Sequence, residues 1–384
     1  MENLKNDLYF IGCNDKTLDL FESHFLIPNG MSYNSYILVD EKIAIFDSVD
    51  KHVGEYWIKE IKNILKDKKP DYLIVQHMEP DHSANIFKLL EEYPDITIVG
   101  RDLTFNMISN YFRDKTIKNK LEIKDGTELS LGRHNLKFIF APMIHWPEVF
   151  MTYDETSKVL FSADAFGKFG ALDTIDNWVD EARRYYFGIV GKYGFQVQQL
   201  LKKASQLDIE MICPLHGPII DKNLAEVISL YDKWSKYESE TNGVLIAYTS
   251  VYGHTKQAVK YLKEELEKEG VNVEIRDLSR CDIFEAVSLA FKYQNIVLAT
   301  TTYNMSIFPP MYEFLHHLIE RNFQNKNIAI IQNGSWAPTA GKVIKDLLVN
   351  QKNINYIEPV ISLVSSMSKI NVEQIEDLTK RFVK

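Results

Sequence analysis

Tyr72-Leu73-Ile74-Val75-Gln76-His77-Met78-Glu79-Pro80-Asp81-His82-Ser83 begins as a strand and breaks into a loop crowded with donors. The apolar run Tyr72–Val75 reads as a buried strand, and Pro80 bars its continuation. Beyond it His77, Glu79, Asp81 and His82 place four potential metal ligands within six residues. A loop leaving a strand can turn alternating side chains toward one point, which a strand or a helix face does less readily. Three more donors follow similar strand-like runs. They are His145 in Pro142-Met143-Ile144-His145-Trp146-Pro147, Asp164 in Phe161-Ser162-Ala163-Asp164, and His216 in Cys213-Pro214-Leu215-His216-Gly217. His52, His134, His316 and His317 join no such pattern and read as surface or packing residues.

Outward from this loop, the first 242 residues show short β-like runs separated by turns. Tyr36–Val39, Ile43–Phe46, Ile96–Val99, Leu136–Phe140 and Val159–Ser162 are examples, and Tyr56–Lys66 and Val197–Gln206 carry helical spacing. Strands in hairpin-like pairs with helices among them predict an α/β sandwich. From Gly243 the pattern turns regular. Strands at Gly243–Thr249, Val271–Asp277, Asn295–Thr300, Asn327–Gln332 and Ile354–Val364 alternate with helices at His254–Glu269, Ile283–Tyr293, Pro310–Arg321, Ala340–Gln351 and Val372–Val383. Five β-then-α units predict a doubly wound parallel sheet. The polar stretch Glu238–Gly243 marks the expected boundary, giving domains 1–242 and 243–384.

The donor set His-x-Glu-x-Asp-His, followed by His-Trp-Pro, Asp and His-Gly-Pro, resembles the metallo-β-lactamase superfamily, whose loop normally reads His-x-His-x-Asp-His. Glu79 stands where that superfamily has its second histidine. The exchange replaces a neutral imidazole with a hard anionic oxygen; mixed imidazole–carboxylate sites suit iron, whereas imidazole-rich ones suit zinc. In this respect the chain resembles the flavodiiron proteins (A-type flavoproteins). The resemblance implies that His77, Glu79 and His145 bind one iron and Asp81, His82 and His216 the other, with Asp164 bridging; some members dispense with the histidine at the place of His82. It also implies that His24 and Tyr193 flank the open face of the metals as catalytic pocket residues.

The second half carries its own signature. Tyr248-Thr249-Ser250-Val251-Tyr252-Gly253-His254-Thr255 joins the first strand of that half to its helix. Hydroxyls, a glycine and backbone N–H groups at a helix start make an anion cradle. There is no lysine for a Walker A loop and no Gly-x-Gly-x-x-Gly fingerprint. The loop resembles the phosphate loop of flavodoxins. Two later loops, Thr300-Thr301-Thr302-Tyr303-Asn304 and Asn333-Gly334-Ser335-Trp336-Ala337-Pro338, leave the third and fourth strands at the end where such sheets bind ligands. Tyr303 and Trp336 can flank an isoalloxazine ring, and Asn304 and Gly334 can meet its polar edge; Thr302, Ser335 and Ala337 complete the expected FMN contacts.

Taken over the whole chain, the resemblance implies FMN and two iron ions as cofactors. The implied reaction is reduction of dioxygen to water, of nitric oxide to nitrous oxide, or both. It implies a head-to-tail homodimer, or a dimer of dimers, that sets each FMN against the partner's irons. The three cysteines, Cys13, Cys213 and Cys281, form no Cys-x-x-Cys pair and no disulfide framework. An external electron donor is therefore expected, by resemblance rubredoxin or a reduced deazaflavin.

Composition bounds the alternatives. In 384 residues, 45% are hydrophobic and 25% charged, with a net charge of -9, so a folded chain of two or three domains is expected and a dedicated nucleic-acid binder is not. The acidic excess lies early: from Leu245 onward 16 basic residues meet 15 acidic ones. No apolar h-region opens the chain and no run nears the ~20 residues of a membrane helix, so a cytoplasmic protein without membrane contact is expected. Three other classes remain open. A zinc hydrolase fused to a flavodoxin-like electron-transfer module would leave Glu79 unexplained. An electron-transfer flavoprotein with an inactive metal domain would leave seven ligands idle. A nucleic-acid-processing enzyme lacks a basic tract.

Overall fold

The computed structural model describes residues 2–5 and 7–383. They divide into two compact units, one ending at Asp232 and the other beginning at Lys233. The polar stretch before Gly243 belongs with the second unit, where Trp234 Nε1 donates to Glu240 and Lys326 Nζ to Ser239.

The first unit is built on two sheets. One has seven strands and contains, side by side, Tyr36–Val39, Ile43–Phe46, Tyr72–Ile74 and Thr97–Gly100. The other has five and contains Asn135–Phe140, Phe150–Asp154, Val159–Phe161 and Met211–Cys213. Their facing side chains form one core: Leu38, Phe46 and Ile74 from the first meet Phe138, Phe150 and Phe161 from the second. Phe46 and Phe161 stack across it with ring centroids 3.8 Å apart. Each such side chain removed from water contributes roughly 1.5–3 kcal/mol. Helices such as Gly54–Leu65 pack with Trp57, Ile58, Ile61 and Leu65 inward. This is the metallo-β-lactamase-like sandwich expected from the sequence. Tyr72–Ile74 runs parallel to Ile43–Phe46, and Val159–Phe161 parallel to Met211–Cys213. Their carboxyl ends carry the loops with His77, Asp164 and His216.

The second unit is a parallel sheet in the order Val273–Asp277, Thr241–Tyr248, Tyr293–Tyr303, Lys326–Asn333, Ile354–Leu363. In chain order this is 2-1-3-4-5, the flavodoxin-like arrangement. Val244, Ile246, Val297 and Ile331 pack on one face against Ala258, Leu262 and Leu266 of the helix His254–Lys268 and Leu378 of Lys369–Val383. Leu245, Leu298 and Ile330 alternate with them and are buried too, as strands covered on both faces require. Among the described residues no helix is long and apolar enough to cross a membrane.

Candidate metal centre and flavin pocket

The His77 loop is held from behind by Asp47. Its carboxylate accepts the N–H groups of Gln76 at 2.7 Å and His77 at 3.1 Å, and the Gln76 side-chain amide at 2.9 Å. Pro80 then starts a single helical turn, Pro80–Ser83, with Glu79 at its N-cap. Asp81 and His82 lie on that turn, and Ser48 fixes it by donating to the His82 carbonyl. His216 is set by Ser32, whose carbonyl accepts from His216 Nδ1 at 2.7 Å and whose hydroxyl accepts the Gly217 N–H. Gly217 sits at φ +81, and a Cβ there would come within 2.8 Å of Lys168 Cγ.

All seven expected donors converge, in two groups. His77, Glu79, His145 and Asp164 form one; Asp81, His82 and His216 form the other; within each, one ligand atom per residue lies within 4.8 Å of the rest. Asp164 faces both. Its Oδ2 is 3.2 Å from His145 Nε2 and 3.3 Å from His77 Nε2, and its Oδ1 is 3.2 Å from His82 Nε2. Both oxygens of Asp81 and of Asp164 are buried without a hydrogen-bond partner among the described residues. Such atoms are costly unless something else satisfies them, and a cation in each group would. His77 and His216 each spend Nδ1 on an oxygen acceptor, which leaves the Nε2 lone pair for a metal. The donor set therefore fits two metal ions.

The electrostatics agree. Burial opposes the charged form of His77, His82 and His145. Even so, the surrounding carboxylates draw all three upward, His145 to about 9. Burial likewise opposes the charged carboxylates of Glu79 and Asp164, but the imidazoles hold both well below the ordinary range. The carboxylates that draw protons onto these imidazoles make a negative field, in which a bound cation would take the protons' place.

His24 and Tyr193 join neither group. His24 is exposed on the turn of the hairpin Leu20–Phe21/Phe25–Leu26, its ring against Phe25. Tyr193 is half-buried at the N-cap of the helix Gly194–Ala204. The same stretches of chain do bring side chains to the site. Glu22 lies on the turn that carries His24; partial burial, and then the nearby Glu79 carboxylate, push it up to about 8. Tyr185 is fully buried, with its ring 5.7 Å from that of His216 and its hydroxyl without a hydrogen-bond partner among the described residues. Burial, then the nearby Asp164, raises its pKa well above the usual value, so it keeps its proton. No sequence signal separates Tyr185 from Tyr186, whose ring packs on Tyr231 instead.

The second unit holds a cavity of about 610 Å³ at the carboxyl ends of its strands, within the range of cofactor sites. Of the expected contacts all but Thr249 and Gly253 line it, and Thr301, Met305, Asn333 and Ser365 join them. Thr249 is buried beneath the loop, its hydroxyl 2.7 Å from that of Thr300. Gly253 takes φ +94 at the N-cap of the helix His254–Lys268, which no N-cap side chain closes. Ser250 Oγ accepts the Lys256 N–H; the remaining N–H groups of the first turn are suited to an anion. Tyr252 and Trp336 are 91% and 89% exposed. Two large rings open to water at one cavity suit a flat aromatic ligand that covers them. Phosphate cradle, flat apolar walls and backbone edge together fit FMN.

Residues 31–217 match the ODP family beta lactamase and residues 245–356 the flavodoxin domain. The chain is 28% identical to a nitric oxide reductase of Moorella thermoacetica, over 93% of this chain and 91% of that one. It is 31% identical to the putative diflavin flavoprotein A 1 of Nostoc sp., over 75% of this chain and 51% of that one; it thus spans about half the length of that relative. Its fold superimposes on the rubredoxin oxygen:oxidoreductase of Desulfovibrio gigas with a TM-score of 0.92 at 24% identity, over 100% of this chain and 97% of that one. The chain thus joins an ODP family beta lactamase domain to a flavodoxin domain, in the fold of the flavodiiron proteins that it resembles.

Proposed function

We propose that this oxidoreductase reduces dioxygen to water, nitric oxide to nitrous oxide, or both. FMN and two iron ions are its cofactors. The observation that carries the reading is the position of Asp164, which turns one oxygen to each donor group. His77, Glu79 and His145 would hold one iron and Asp81, His82 and His216 the other, with one oxygen of Asp164 turned to each group. FMN supplies one- and two-electron transfer, and the irons supply open positions for a diatomic gas. The balanced reactions are O2 + 4e⁻ + 4H⁺ → 2H2O and 2NO + 2e⁻ + 2H⁺ → N2O + H2O.

The chain's own residues set the conditions. Glu79, Asp81 and Asp164 balance cation charge in a buried cluster, and the burial keeps bulk water from the reacting gas. Tyr185 holds a proton beside that cluster, a position from which a hydroxyl can donate to a substrate oxygen. Tyr303 and Trp336 flank the flavin ring, and the start of the helix His254–Lys268 holds its phosphate. Electrons come from an external donor, rubredoxin or a reduced deazaflavin, and a head-to-tail homodimer brings each flavin to its partner's irons. A zinc hydrolase is disfavoured, because it leaves both Glu79 and the flavin pocket without a task.

The test is composition followed by reoxidation. Purified protein should hold about two irons and one FMN per chain, and its photoreduced flavin should be reoxidised by either gas over repeated turnovers. Zinc in place of iron, or a reduced flavin indifferent to both gases, would overturn the reading.

A further inference from the structure

The two donor groups are not backed alike. His77 Nδ1 donates to Glu148 Oε1 at 2.9 Å, and the same oxygen accepts the Met78 N–H at 2.8 Å. Glu148 is 0% exposed, and its Oε2 has no hydrogen-bond partner among the described residues. A carboxyl group is thus buried directly behind one imidazole. In the other group His216 Nδ1 donates to the neutral Ser32 carbonyl at 2.7 Å. The Nδ1 atom of His82 is buried and has no hydrogen-bond partner among the described residues. Glu148 also follows His145 by three residues. One short loop therefore supplies a donor to the first group and the carboxylate that orients another.

We propose that Glu148 is a positioning residue that makes the two irons unequal: it binds the iron at His77, Glu79 and His145 more tightly, and holds it at a lower reduction potential, than the iron at Asp81, His82 and His216. A carboxylate accepting from Nδ1 fixes the ring and makes Nε2 a stronger donor, and outer groups of this kind change metal affinity by ~10–100-fold. A stronger donor favours the more highly charged metal, whereas a neutral carbonyl acts more weakly and an unpaired Nδ1 not at all. The iron beside His82 and His216 is then reduced first and lost first. The inference rests on the di-iron reading above.

Glu148→Gln keeps an acceptor oxygen for His77 and Met78 but removes the charge. Protein loaded with 57Fe is challenged with a chelator, and the remaining iron is followed by Mössbauer spectroscopy. In the wild type the two irons should leave in two phases, and one-electron reduction should give one ferrous and one ferric iron at fixed positions. In Glu148→Gln the slow phase should accelerate by ~10–100-fold, with the fast phase and the thermal melting of the metal-free protein unchanged. Simultaneous release of both irons from the wild type would overturn the proposal whether or not the variant folds. So would equal acceleration of both phases in the variant. Failure of the folded wild type to take up iron at all would instead sink the di-iron reading, and this inference with it.

Discussion

His82 Nε2 lies 3.0 Å from His216 Nε2, and Asp81 Oδ2 is 3.3 Å from each. Two imidazole nitrogens and a carboxylate oxygen at these distances form a ready-made cation site. Metal bound only by the folded chain stabilises it by mass action, by about 2.7 kcal/mol when free metal is 100-fold above its dissociation constant. Chelation should therefore lower the melting temperature of the first unit, and iron should restore it. Equal melting with and without metal would contradict the assignment.

On the proposed assignment, Glu79 is the residue that separates iron from zinc chemistry. Glu79→His should turn the loop toward an imidazole-rich zinc site. Gas reduction should fall by more than the ~10–100-fold that outer-shell changes cost, while zinc uptake from mixed-metal medium rises. Metal analysis beside turnover checks both; an iron-loaded, fully active variant would refute the role.

Tyr185→Phe removes a buried hydroxyl with no hydrogen-bond partner among the described residues. Deleting such a group is neutral or mildly stabilising, so melting should hold or rise. If the hydroxyl serves proton delivery, turnover should fall by ~10²-fold or more. Tyr193→Phe should leave turnover near the wild-type value. The reverse ranking would restore Tyr193 to the site.

Trp336→Ala should weaken FMN binding without unfolding the second unit, because the ring is mostly exposed. Aromatic contacts contribute about 0.5–1.5 kcal/mol beyond area, so a loss of ~2–10-fold in affinity is expected by flavin-fluorescence titration. An unchanged affinity would remove Trp336 from the flavin wall.

Lys326 gives the second unit a pH dependence. Its ammonium is buried and donates to Ser239 Oγ and to the carbonyls of Phe291 and Tyr293. Burial lowers its pKa from 10.5 to about 7. Between those values the unfolded chain binds the proton and the folded chain does not. Stability therefore rises with pH across this window, with a slope approaching ~1.4 kcal/mol per pH unit, and the penalty is complete below about 7. Denaturant unfolding at several pH values should show that slope, and Lys326→Met should abolish it.

The sequence made some features legible and hid others for physical reasons. The metal donors were readable because their loops follow hydrophobic strands, at whose carboxyl ends, in both sheets, the donors gather. The flavin loops were readable for the same reason. Tyr185 was not, since on a helix it is one aromatic among several, and only packing decides which ring lies beside His216. Glu148 was hidden as well: it lies 71 positions from His77 in sequence, and only the meeting of two sheets makes them partners. Met305 and Ser365 were missed because a lining position on a tight turn carries no side-chain signature.

The most direct test of the central claim is the electron stoichiometry of gas consumption by the iron- and FMN-loaded protein with a reduced donor. We expect four electrons per dioxygen with water as product, or two electrons per pair of nitric oxide molecules with nitrous oxide released. Two electrons per dioxygen with hydrogen peroxide accumulating, and no nitrous oxide from nitric oxide, would mean that a free flavin rather than the metal centre meets the gas, and would contradict the account.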